Sequence, residues 1–187
     1  MEPAFTKTID PSEKISIGTL QIIAFPKFHD AAEPVSFVVT DHQTHIGVFT
    51  DLGHGCKELK KHFSYCHAAF LESNYCEDML TKGRYPEHLK QRIRSKKGHL
   101  SNDQALEIFI NHRGKQLSHL ILSHLSQNNN TMEKVREVFA PKAGIAEIIV
   151  ASRYKETPVY EIKGNEVTGT KLAKIFSVQK PKQLTLF

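Results

Sequence analysis

Three apolar runs of this 187-residue chain each end in a group able to bind a metal ion. IIAFPKF runs into His29–Asp30, IGVFT into Asp51, and LILS into His124. In α/β proteins, ligand sites form at strand ends and in the loops that follow them. Imidazole and carboxylate together suit zinc or manganese, and one carboxylate can bridge two ions. Taken singly, a strand-end His or Asp reads as a turn former or a surface group. Three on successive runs shift the balance toward a site. Glu72 closes AAFLES within LESN, and His99 sits in GHLSN just before a capped helix. A carboxylate paired with an imidazole fixes its tautomer and raises its pKa, which makes a competent general acid. Glu72 also reads as a solvated strand-end acid and His99 as a packing residue, and spacing alone does not decide between these.

The elements that must position these groups follow from pattern. KISI and LQIIAF flank Gly18-Thr19, a hairpin signal, and PVSFVVT and HIGVFT flank a second turn at 41–44. A short helix is expected over 55–63, and a buried strand at 68–73. Short helices are expected at 76–81 and 86–94, with Pro86 acceptable in a first turn. Ser101 and Gln104 fit a capping box opening a helix that reaches His112. LSHLILS reads as a second buried strand, and Asn130 with Glu133 as the start of a helix reaching Phe139. AEIIVAS and PVYEI read as final strands. Strands first, then alternating strand and helix, indicate an α/β fold with a mixed sheet.

Composition sets the class. Hydrophobic residues make up 40% and charged residues 24%, which excludes collagen-like, coiled-coil and disordered chains. No run approaches 18 apolar residues, and the first residues lack the pattern of a signal peptide. Three cysteines, an odd number, argue against a disulfide framework and for a reducing cytoplasm. The net charge of +5 resides in one segment, 82–97. Lys82, Arg84, Lys90, Arg92, Arg94, Lys96 and Lys97 stand there against the single acid Glu87. Such a run reads either as a solvated helical face or as a contact for a phosphate backbone.

The ordered motifs FHDAAEPVSF, FTDLG, FLESNYCEDMLTKGRYPEHLKQRI, KGHLSN and LILSHLSQNNN resemble the metallo-β-lactamase superfamily over about residues 15–162. Within it they are most similar to the bacterial YycJ/WalJ-like branch, related to tRNA 3′-processing nucleases and phosphodiesterases. The resemblance implies the C-terminal portion of an αββα sandwich. It implies that His29, Asp51 and His124 are metal ligands, with Asp51 bridging two divalent ions, zinc or manganese. It further implies that Glu72 and His99 are the acid–histidine pair that protonates a leaving oxygen. Ser36 replaces a usual glycine, and Tyr75-Cys76 departs from the usual pair, but neither is a proposed ligand. The family's main metal motif, His-x-His-x-Asp-His, has no counterpart in residues 1–28. Asp41-His42 and His45 have the wrong spacing and read as solvent-exposed turn residues. The chain is therefore expected to be truncated, to hold an incomplete metal site, and to leave apolar sheet surface exposed. A first half from a separate polypeptide, or a second copy of the chain, would also cover that surface.

Residues 1–168 are expected to form the domain and 169–187 a basic tail. The last residues, Gln183, Leu184, Thr185, Leu186 and Phe187, resemble the pentapeptide by which bacterial replication and repair proteins bind the DNA sliding clamp. The leading expectation is a metal-dependent phosphodiesterase, an exonuclease acting on DNA in repair, inactive as the isolated chain. The alternatives are a non-catalytic DNA- or clamp-binding module and a hydrolase of a small ester or thioester.

Overall fold

The computed structural model describes residues 10, 13–41 and 43–164. The pentapeptide at 183–187 and the expected boundary near 168 lie outside the described residues. Among the described residues no helix is long and apolar enough to cross a membrane.

Seven strands form one mixed sheet in sequential order. β1 (Lys14–Ile17), β2 (Leu20–Pro26), β3 (Val35–Thr40) and β4 (His45–Phe49) run antiparallel in turn. β5 (Ala68–Glu72), β6 (His119–Ser123) and β7 (Glu147–Val150) then add parallel to β4. Parallel neighbours need crossovers. α1 (Lys57–Phe63) joins β4 to β5, and α5 (Met132–Phe139) joins β6 to β7. Three helices, α2 (Glu77–Lys82), α3 (Glu87–Arg94) and α4 (Asn102–His112), separate β5 from β6. The capping box at Ser101 forms in both directions with Gln104. The start of α5 departs from expectation. Its cap is Thr131, whose hydroxyl accepts from the Lys134 N–H, because the Asn130 side chain is turned inward to other partners.

The alternation of each strand sorts its side chains between two faces. One face supplies Phe49, Leu71, Leu120, Leu122 and Val150 to the core. Leu59 and Phe63 of α1, Phe109 of α4, and Val135 and Phe139 of α5 pack there. Each such fully buried Phe or Leu contributes roughly 1.5–3 kcal/mol. The other face carries a registered row, Phe37–Val48–Phe70–Ile121–Ile149, across β3 to β7. No helix among the described residues covers it, and Phe70 is 39% exposed.

PVYEI is not a strand. Pro158 has no N–H for a ladder. This segment instead crosses the second face: Tyr160 meets the His119 ring at 5.5 Å, and Tyr160 and Ile162 line a hollow with Val39 and Ile46. His45 also departs from its expected exposure. It is half-buried and stacks on His67 at 5.8 Å.

Candidate metal centre

β2 is antiparallel to β3 and β3 to β4, so β2, β4, β5 and β6 all point the same way. Their C-terminal ends share one edge of the sheet, where a ligand site is expected. His29 follows β2, Asp51 follows β4, Glu72 ends β5, and His124 follows β6. His99 arrives from the loop between α3 and α4. The topology thus gathers five residues spread over 96 positions of sequence.

The loops are locked by close backbone approaches. The Gly53 N–H donates to the Phe28 carbonyl at 2.7 Å. A Cβ at Gly53 would lie 2.0 Å from the Lys96 carbonyl oxygen, so only glycine allows the loop after β4 to meet the loop carrying His99. Asp51 and His124 have left-handed backbones, with φ of 53° and 60°. No other described non-glycine residue has a positive φ. Non-glycine residues in this region cost of order 1–3 kcal/mol, and they cluster at functional sites.

The side chains converge. His29 Nε2 lies 3.6 Å from Asp51 Oδ1, and His124 Nε2 lies 3.5 Å from the same oxygen. Two atoms bound tetrahedrally to one ion at about 2.1 Å sit roughly 3.4 Å apart, so Asp51 Oδ1 stands at such a separation from each of the two imidazoles. His29 Nδ1 is hydrogen-bonded to the Gly98 carbonyl at 3.0 Å, which leaves Nε2 for a ligand. The His99 ring lies 5.2 Å from that of His29 and 5.3 Å from that of His124. One ligand atom each from His29, Asp51 and His99 fits within a 4.8 Å group, and so does one each from Glu72, His99 and His124.

Glu72 is fully buried, and its oxygens are already engaged. Oε1 meets His99 Nδ1 at 2.6 Å and His124 Nδ1 at 3.3 Å, and Oε2 accepts the Leu52 N–H at 2.5 Å. One carboxylate therefore fixes the tautomers of two imidazoles and anchors the loop bearing Asp51. Glu72 orients the site, a broader task than pairing with His99 alone. Its hydrogen bond is the main cause that raises the His124 pKa, against the opposing effect of burial. Lys27 donates to the Thr50 carbonyl at 2.7 Å, and burial lowers its pKa against the attraction of Asp51 and Glu72.

Sequence reasoning missed three buried asparagines. Asn74 Nδ2 donates to the His124 carbonyl at 2.8 Å. Asn130 Nδ2 donates to the carbonyls of Ser73 and Asn74 and to Asn102 Oδ1. These contacts tie the loops after β5 and β6 to the start of α4. The only signal was amide side chains in LESN, LSN and QNNN, where turns and caps are equally well served.

The basic segment divides. Lys90 is buried and donates to the Thr81 carbonyl at 2.7 Å. Arg94 is bound to Glu77, with Nε at 2.8 Å, and Arg92 to Asp30, with Nε at 2.6 Å. The Arg92 hydrogen bond holds the Asp30 carboxyl below the usual range. These three basic groups therefore hold the structure together instead of forming one free basic face. Lys82, Arg84, Lys96 and Lys97 remain exposed.

No family model matches the chain. Two relatives do. It is 32% identical over 121 residues to the exodeoxyribonuclease YycJ of Bacillus anthracis, covering 65% of this chain and 46% of that protein. It is 28% identical over 153 residues to the exodeoxyribonuclease WalJ of Streptococcus pneumoniae serotype 2 (strain D39), covering 82% and 56%. The chain thus spans about half the length of the relatives it matches. Its fold is similar to the metallo-β-lactamase fold protein YhfI of Bacillus subtilis, with a TM-score of 0.58 at 15% identity, over 76% of this chain and 50% of that one. It is also similar to Zn(2+)-bound PqqB of Methylobacterium extorquens, with a TM-score of 0.57 at 14% identity, over 78% and 52%. With its mixed sheet and its polar strand-end edge, the chain is a metallo-β-lactamase-fold homologue of the YycJ/WalJ exodeoxyribonucleases.

Proposed function

We propose that these residues belong to a metal-dependent phosphodiesterase that degrades DNA, acting in the cytoplasm in repair. The observation that carries this reading is Asp51 Oδ1 lying 3.6 Å from His29 Nε2 and 3.5 Å from His124 Nε2, backed by a buried carboxylate. His29, Asp51 and His124 would contribute ligands to divalent ions, zinc or manganese. When bound, such an ion supplies Lewis acidity and an activated water. Asp51 would bridge two such ions, with their remaining ligands supplied from outside these three residues. The exposed Phe70 on the second sheet face, which no described helix covers, supports a further layer of the same catalytic domain packing there, and the isolated chain is expected to be inactive.

The chain's own residues supply the rest. Glu72 holds the Nδ1 side of His99, so His99 Nε2 is the face available to deliver a proton to a leaving oxygen. Lys82, Arg84, Lys96 and Lys97 would attract the DNA backbone. The YycJ and WalJ relatives, exodeoxyribonucleases by name, support DNA as the substrate. Three free cysteines support a reducing compartment.

Zinc and manganese titration by calorimetry tests the centre without requiring turnover. The chain should bind an ion, and His124→Ala should abolish binding, whereas His99→Ala should retain it and remove DNA hydrolysis in the complete domain. Binding unchanged in His124→Ala rejects the centre. A second partner, the sliding clamp, is proposed through Gln183, Leu184, Leu186 and Phe187. Deleting 183–187 should abolish co-elution with purified clamp, and co-elution that persists removes this partner.

A further inference from the structure

A cleft of about 310 Å³ opens beside the metal centre and shares His124 as a wall. That is at the lower end of the range for ligand sites, roughly 300–1,000 Å³. The loop from β6 to α5 forms one side, through Leu125, Ser126, Thr131 and Met132. The segment after β7 forms the other, through Arg153 and Tyr154. No carboxylate lines it. Arg153 donates one Nη2 hydrogen bond to the Leu125 carbonyl at 2.9 Å, which seats the guanidinium at the rim with further N–H groups to offer. The Tyr154 N–H donates to Ser152 Oγ at 3.1 Å, and its ring stands 79% exposed with no ring contact among the described residues. A ring so exposed beside a cleft is free to stack on a planar ligand seated there.

We infer that this cleft seats the nucleotide next to the scissile phosphate, with Tyr154 stacking on its base and Arg153 meeting its phosphate. The inference rests on the phosphodiesterase reading and adds to it a place for one nucleotide. Apolar side chains at Leu125 and Met132, one aromatic, one guanidinium and no acid together match a base carrying an anionic group. A stacked base is read through its π-face, so the cleft would tolerate any base and suit an enzyme that degrades without sequence preference.

A single-stranded deoxydinucleotide containing 2-aminopurine, titrated into the full chain without metal, tests this. Saturable quenching is expected, weakened roughly tenfold by Tyr154→Ala and by Arg153→Ala, and retained in Tyr154→Phe. Tyr65→Ala, an exposed tyrosine just before the start of β5 and so at the opposite strand ends, should leave it unchanged. Both altered cleft residues are exposed, and zinc titration of each variant checks that the centre is intact. No saturable quenching, or quenching indifferent to both alanine variants, overturns the cleft assignment. Quenching that behaves as expected in a chain that binds no ion rejects the metal centre and leaves the cleft standing.

Discussion

The strand-end edge and the basic segment handle charge in opposite ways. At the edge, His29, Asp51, Glu72, His99 and His124 come from five separate stretches, and each comes within 3.6 Å of another of them. In 82–97, seven cations adjacent in sequence are driven apart. Helical rotation sends Lys90 into the protein and sends Arg92 and Arg94 to acids on different elements. Sequence neighbours on a helix diverge by about 100° per residue, whereas parallel strands deliver distant residues to one line. A charge run is thus weaker evidence of a site than scattered polar residues that end apolar strands.

The comparison can be broken most forcefully at Glu72. Glu72→Ala leaves the Leu52 N–H buried without its partner and releases both imidazoles. It should cost about 2–4 kcal/mol in urea unfolding. A cost below about 1 kcal/mol would show that the edge is not held together as described. A smaller effect separates the free cations from the committed ones. The double variant Lys96→Ala/Lys97→Ala should weaken single-stranded DNA binding and lower the salt slope by roughly 1.4. Arg94→Ala should leave both nearly unchanged, because its guanidinium is already bound to Glu77. Equal losses in the two would mean that the segment acts as one basic face.

Much of the fold was legible because it is written in local patterns. The capping box at Ser101 and the apolar runs of β5 and β6 need no knowledge of the rest of the chain. The failures were those that depend on distant partners. Asn130 has the chemistry of a cap, but Asn102 and two carbonyls of the β5 loop claim it, so Thr131 takes that place. PVYEI has strand residues, yet it lies across the sheet beside His119 and Ile46 instead of along an edge. Four of the site residues were visible as types at strand ends, and His99 as an imidazole just before a capped helix. Their mutual geometry was not, and neither was the double duty of Glu72. Asn74, which holds the His124 carbonyl, was invisible because a buried amide and a turn amide look the same in sequence.

The left-handed backbones at Asp51 and His124 have a consequence for engineering. At both positions glycine relieves the conformational cost, so a search that rewards thermal stability alone will favour glycine there. Such a search would raise the melting temperature while erasing the groups that face the centre. In this chain, selection for robustness and selection for activity pull against each other at two identifiable residues.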